Sequence, residues 1–369
     1  MNRRDFVKNT TLATTALGAS SLSARAAGEK PAKIKIGQIG IGHSHAGARM
    51  RSLRKLSEHF EVVGIVDDSD FSDEMARGGK GNEYKGLPWL SEKELLATPG
   101  LQAVIVETSN LQLVPTATRC MERGLAINMD KPSGETLEPY QKLLKGCQER
   151  QLPFQIGYMF RGNPAIHFIW KAVREGWLGD VFEITAGMNH DYGGGSYAKY
   201  LSAYPGGLMF LLGCHHIDWV AYLLGRPEKI TPFLGSTKNV PAGCHNNCLA
   251  VLEYPHTLVS IHSSDAEVAG LPKRRIKVCG TKGTIELSPL ERFDGKPLPL
   301  KLTLKEAAGG YQKGEQTVTF PGRTDRYAEQ LIEFAGMIRG TTQSAFTPAH
   351  DLLVHEMILA ASGYTEWQK

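Results

Sequence analysis

The run IKIGQIGIG at residues 34–42 limits the architectures open to this chain more than any other stretch. An apolar strand ends there in closely spaced glycines, and HAGARMRSLRKL with helix-like spacing leads to a second apolar strand, VVGIVDD, at 62–68. This is a β-α-β opening. Parallel strands joined that way need their crossover helix packed on the sheet, so the opening predicts a mostly parallel sheet covered on both faces. AVIVET, a helical stretch through Glu122, and LAINMDKP after Gly124 continue the alternation over residues 33–155.

From Asp180 onward the texture changes. VFEITAGMNHDYGGGSY, LAVLEYPHTLVSIHSSDAE and RRIKVCGTKGTIELSP read as strands without regular intervening helices, which predicts a second, sheet-rich domain over 156–345. TDRYAEQLIEFAGMIRG and HDLLVHEMILAASGY are helical again, and the segment 346–369 is expected to return to the first domain. A chain of 369 residues, 41% hydrophobic, can bury two cores without disulfides. The six cysteines complete no zinc signature; Cys244 and Cys248 could pair or remain separate thiols.

Charge excludes some partners. Forty-two basic and 38 acidic residues leave a net charge of +4 with no long basic block, so nucleic acid is not expected. No apolar run is long enough to span a membrane. At the N-terminus, Arg3 and Arg4 precede the mildly apolar TTLATTALGASSL and then Ala24-Arg25-Ala26. Residues 1–26 therefore read as a twin-arginine export signal, with a periplasmic or otherwise exported mature chain, against the alternative of a basic extension.

In the glycine turn, Gly40 allows the tight bend and Gly42 a close approach to a pyrophosphate, while the third glycine of the usual pattern is missing and Gly47 is displaced. Asp67 at the end of the second strand is suited to the adenosine ribose and repels a 2′-phosphate, which favours NAD over NADP; Asp68 beside it could take the role instead. His43 and His45 could line the nicotinamide side, reach the pyrophosphate or contact the partner domain. They have no third ligand at a telling spacing, so no metal is expected. Lys131, followed by Pro132 after an apolar strand, puts an ammonium at a sheet end where ligands collect. In GCHHID (213–218), a helix would put His215 and Asp218 on one face, where the acid could fix the imidazole tautomer. His190, Asp191 and Tyr192 in a glycine-flanked loop suit substrate binding or loop stability, and Arg161 either lines the same cleft or joins the domains.

IGIG at 39–42, DKP at 130–132, GYMFRGNPA at 157–165 and GCHHID at 213–218, in that order, resemble the Gfo/Idh/MocA family of NAD(P)-dependent oxidoreductases. The resemblance implies an α/β chain. It joins a Rossmann domain to a C-terminal α/β domain whose open, predominantly antiparallel sheet floors a sugar or polyol site and forms a homodimer or homotetramer face. Asp130-Lys131-Pro132 looks like the family's Glu-Lys-Pro, with the lysine beside the nicotinamide and on the reacting hydroxyl. His215 looks like its catalytic histidine and Asp218 like the carboxylate that follows. Ser109 and Asn110, in the loop after the third long parallel strand, and Asp130 join the cofactor set by the same resemblance, and Arg161, His190, Tyr192 and His215 the substrate set. The pattern is broken at two places: Leu211 stands where many relatives have an aspartate, and Leu113 where a histidine is frequent. NAD-dependent hydride transfer at a secondary alcohol is the leading expectation. The alternatives are glycoside cleavage through transient oxidation with retained NAD, and a sugar-binding relative without catalysis.

Overall fold

The computed structural model describes residues 31–68, 82–192 and 195–368. The expected export signal, with Arg3 and Arg4, lies outside them.

The first sheet is built from β1 (Ile34–Ile39), β2 (Phe60–Val66), β3 (Trp89–Leu90), β4 (Ala103–Val106), β5 (Ala126–Met129) and β6 (Phe154–Ile156). They pair in parallel in the order β3-β2-β1-β4-β5-β6, with α1 (Ala46–Lys55), α2 (Glu92–Leu96), α3 (Leu113–Glu122) and α4 (Leu137–Glu149) in the connections. Every residue of β4 and β5 is buried, as a sheet covered on both faces requires. The order reverses between β1 and β4. Connections leave those two strands in opposite directions, which opens a crevice at their carboxyl ends.

After α5 (Pro164–Arg174), the second sheet uses β7 (Val181–Gly187), β8 (Lys229–Gly235), β9 (Asn247–Glu253), β10 (Leu258–Ser264), β11 (Arg275–Gly280), β12 (Gly283–Leu287), β13 (Leu298–Leu304) and β14 (Gly314–Phe320). Its order is β14-β13-β12-β11-β7-β10-β9-β8, antiparallel everywhere except β7 with β10. Burial alternates along β9 and β13, the mark of a sheet with one face on the core. The long β7 to β8 connection holds α6 (Ser196–Leu201), a π-helical turn at Met209–Gly213, and α7 (Cys214–Leu224).

The last helices tie the sheets together. α8 (Ala328–Ile338) packs on α1, with Leu331 and Phe334 in the same core as Ile36, Met50 and Leu53. α9 (Pro348–Ala361) lies against α4 on one side and against α7 and β8 on the other. All six cysteines are buried free thiols, so Cys244 and Cys248 do not pair.

Candidate functional site

The glycine turn after β1 has the backbone its residues were expected to supply. Gly40 has φ +95°, and a Cβ there would lie 2.5 Å from the Thr108 nitrogen, so only glycine lets the turn close against the end of β4. Asp68 braces this turn: its Oδ1 accepts the N–H groups of Ile41 at 2.8 Å and Gly42 at 3.0 Å. Burial raises the Asp68 pKa, and those backbone donors oppose the rise. Asp67 lines a cavity of 600 Å³ with Trp89, Thr108, Gln112 and Arg119. The guanidinium of Arg119 is held there by Glu92 through bonds of 2.6 and 2.7 Å. Among the described residues, Thr108 Oγ1, Asn110 Oδ1 and Asp68 Oδ2 are buried with no hydrogen-bond partner. Such orphaned groups fit a crevice that a dinucleotide completes.

Beyond the turn lies a buried charge cluster. Asp130 follows β5, wholly inaccessible, and its Oδ2 accepts Arg49 Nη2 at 2.9 Å and His45 Nδ1 at 3.0 Å. Oδ1 accepts the Lys131 N–H at 2.7 Å. Arg49, in the middle of α1, also pairs with Glu107 at 2.6 Å and donates to Asn128 at 2.9 Å. Gly157 makes room, since a Cβ there would sit 2.8 Å from Arg49 Nη2. Burial alone would raise the Asp130 carboxyl, but His43, His45 and Arg49 outweigh it and hold it well below the usual carboxylate range. Glu107 is pushed the other way, by burial and then by Asp130.

Lys131 projects into a cleft of 230 Å³ lined also by His43, His45, Asn110, Tyr192, Tyr197, Tyr200 and Leu211. Its Nζ donates to the Leu211 carbonyl at 2.9 Å, within the π-helical turn before α7. Such turns recur at functional sites because the wider ladder re-aims backbone groups. Leu211 therefore meets the lysine through its backbone, where a carboxylate was missed in the sequence. The opposite wall is aromatic: His190 stacks on Tyr192 at 3.6 Å, Tyr192 lies 4.1 Å from Tyr197, and Asn110 Nδ2 donates to the Tyr200 hydroxyl at 2.7 Å. Ser109 precedes Asn110 at the mouth of the same loop. Leu113 is buried in α3 and does not line the cleft.

Three expectations are corrected. Asp218 does not orient His215. Its carboxylate accepts Arg161 Nε at 3.1 Å and Nη2 at 2.6 Å, and stands 3.2 Å from His350 Nε2. A guanidinium presents paired donors at full charge, and in a dry interior it outcompetes a neutral ring for the carboxylate. His215 is wholly buried, has neither ring nitrogen partnered among the described residues, lies beside the rings of Tyr158 and Phe160, and is not among the residues lining the cleft. Arg161 is likewise no part of the Lys131 cleft: it bridges Asp218 and Asp351 and borders a separate cavity of 890 Å³.

His43, His45 and Asp130 lie within ligand spacing of one another, so the third group that the sequence did not reveal is Asp130. Arg49 already supplies the positive charge at the same carboxylate oxygen. The sequence reading also missed Arg49 and Glu107, which look like the polar side of α1 and the end of a strand, and Tyr197 and Tyr200. Only the three-residue spacing of those tyrosines in SYAKYL hinted at a common face.

Residues 34–158 match the oxidoreductase family with an NAD-binding Rossmann fold, and residues 167–286 match the GFO/IDH/MocA C-terminal domain. The chain is 23% identical to trans-1,2-dihydrobenzene-1,2-diol dehydrogenase of Bos taurus over 63% of this chain and 67% of that one. It is 28% identical to a glycosyl hydrolase family 109 protein of Stenotrophomonas maltophilia over 53% of this chain and 43% of that one, less than half of the relative's length. The fold matches that of an oxidoreductase from Agrobacterium radiobacter, solved with NAD+, L-tartaric acid and magnesium, at a TM-score of 0.73 with 16% identity over 90% of this chain and 96% of that one. A glycine turn braced at the switch point of a parallel sheet, and a lysine at the neighbouring strand end, are thus set in a chain that carries, in order, the NAD-binding and the C-terminal domain of the Gfo/Idh/MocA oxidoreductases.

Proposed function

We propose that the protein moves a hydride between NAD and a secondary alcohol of a small cyclic polyol or sugar. The observation that carries this reading is Lys131: a nearly buried ammonium in a cleft of 230 Å³ shared with the glycine-turn residues His43 and His45. Gly40 and Asp67 would hold the dinucleotide, and the orphaned Thr108 and Asn110 oxygens would be satisfied by it. When bound, the nicotinamide supplies the hydride acceptor or donor. The chain's own part is to fix the hydroxyl on Lys131 Nζ, which stabilises the oxyanion that develops, and to stack the ring of the substrate on the tyrosine wall. His215 carried the proton in the sequence reading, but it is wholly buried beside Tyr158 and Phe160 and is not among the residues that line the cleft.

The test is a panel of cyclic diols, inositols and aldoses incubated with NAD+ or NADP+, following absorbance of the reduced cofactor. Turnover with NAD+ preferred is expected, and Lys131→Met should lower it roughly 100-fold or more while leaving the NAD+ affinity within about twofold. No turnover in either direction by a protein that binds NAD+ would remove the reading. Glycoside cleavage with retained cofactor is the second reading, favoured by the likeness to the family 109 glycosyl hydrolase. Release of an aglycone from an aryl glycoside without net cofactor reduction would select it.

A further inference from the structure

We propose that His45, held by Asp130, is the base that takes the hydroxyl proton, an assignment that rests on the hydride-transfer reading above. Three groups must meet for such a dyad: an ionised carboxylate, a ring N–H that it accepts, and a second ring nitrogen facing the reacting space. Asp130 meets the first requirement. It is inaccessible to water, accepts from Arg49 Nη2 and the Lys131 N–H, and is held well below the usual carboxylate range by the neighbours that oppose its burial, among them the Arg49 guanidinium.

An ionised carboxylate can only accept, so His45 Nδ1, at 3.0 Å from Asp130 Oδ2, carries the ring hydrogen. Nε2 is then the lone-pair nitrogen, and it has no hydrogen-bond partner among the described residues. The His45 side chain keeps 19% exposure and lines the cleft with Lys131. The nearby groups are His43, Lys131 and the ring of Tyr327 at 6.0 Å. Burial lowers His45 to about 3 and Asp130 opposes that, so the ring is neutral at pH 7 and its protonated form is stabilised by the carboxylate.

The imidazoles of His43 and His215 do not meet these conditions. His43 has Nε2 against the Lys131 carbonyl at 3.2 Å, while its Nδ1 accepts the backbone N–H of His45 at 3.3 Å and stands 3.5 Å from both Glu107 and Asp130. His215 lies outside the cleft lining, and its expected carboxylate is committed to Arg161. His45 also stands where the usual pattern has its third glycine. A residue that merely filled space there would need no carboxylate fixed behind it by an arginine.

In the oxidation direction the carbinol hydrogen leaves carbon with both C–H electrons, as hydride to the bound nicotinamide dinucleotide. The O–H bond breaks with its proton going to His45 Nε2, the oxygen electrons form the C=O bond, and the Lys131 ammonium stabilises the transient negative charge on that oxygen. The imidazolium then returns its proton to water, which the partial exposure of the side chain admits. Reduction runs the same transfers in reverse.

Two measurements test this. In the apoprotein with ¹⁵N-labelled histidine, the long-range ¹H–¹⁵N spectrum should give His45, identified by its loss in His45→Gln, as the Nδ1–H tautomer, and Asp130→Asn should abolish that preference. With the fastest alcohol of the panel, His45→Gln should lower kcat roughly 100-fold to 10,000-fold with NAD+ affinity within about twofold, and remove the low-pH limb of the kcat profile. His45→Gly restores the third glycine, so it should keep cofactor binding and lose turnover likewise. An Nε2–H tautomer, or unchanged kcat and pH profile in both variants of an active parent, overturns the assignment alone. A parent that binds NAD+ but turns over no alcohol overturns the hydride-transfer reading and this one with it.

Discussion

Arg161 and Asp218 illustrate how a residue's neighbours change its meaning. The sequence left Arg161 between lining the cleft and joining the domains and gave Asp218 to the orientation of His215, yet they form a buried ion cluster with Asp351 and His350, and the guanidinium lies 4.1 Å from the Phe346 ring centroid. Burial alone would raise Asp218, and Arg161 and His350 hold it lowered. Arg161→Met would leave two carboxylates, each at most 4% exposed, without their shared cation. The expected cost is about 3–5 kcal/mol of folding stability, read from urea denaturation. Arg161→Met with Asp218→Asn and Asp351→Asn should recover much of it. A loss below about 1 kcal/mol for the single variant, within the range of exposed ion pairs, would show that the cluster is not a stabilising unit.

At the scale of elements, α9 clasps the turn that carries Lys131. Its His355 has Nε2 on the Thr136 carbonyl at 3.1 Å and Nδ1 on the Ser133 hydroxyl at 2.7 Å; since a carbonyl only accepts, Nε2 is the donor and Nδ1 the acceptor. Burial lowers folded His355 from 6.5 to about 4, with the Thr136 carbonyl opposing. Between those values the unfolded chain binds the extra proton, so this group's contribution is complete above about 6.5 and falls as the pH drops toward 4. His355→Asn should destabilise the protein at pH 7, and that cost should shrink by roughly 2 kcal/mol at pH 5. A cost independent of pH, in paired denaturation curves, would contradict the clasp as drawn. The link from this helix to the lysine was not readable in the sequence, because residues 133 and 355 are separated by most of the second domain.

For the whole molecule, the apolar face of the second sheet is the ground for expecting self-association. On β8, β9 and β10, Phe233 and Leu258 are 53% and 58% exposed and Leu249 and Val251 are half-buried on the same face, an apolar area that a monomer would leave in water. A second copy would cover it, and light scattering should return at least twice the mass of one chain. Phe233→Lys with Leu258→Glu should shift the protein toward the monomer. The mass of a single chain across working concentrations for the parent would remove this expectation. Among the described residues no helix is long and apolar enough to cross a membrane.

What the sequence determined by itself was whatever is encoded locally. Alternation of apolar strands with helical spacing specifies a parallel sheet, the change of texture near Asp180 specifies a second one, and glycine at position 40 specifies a turn no other residue closes. Lys131 was legible for the same reason, as an ammonium fixed next to the end of a strand. Pairing across distance was decided only by the tertiary structure: Asp130 went to Arg49 and His45, Asp218 to Arg161, and Lys131 to a backbone carbonyl of a π turn. In a buried, low-dielectric setting a carboxylate goes to whichever cations and donors the packing brings to it, and spacing along the chain does not say which those are.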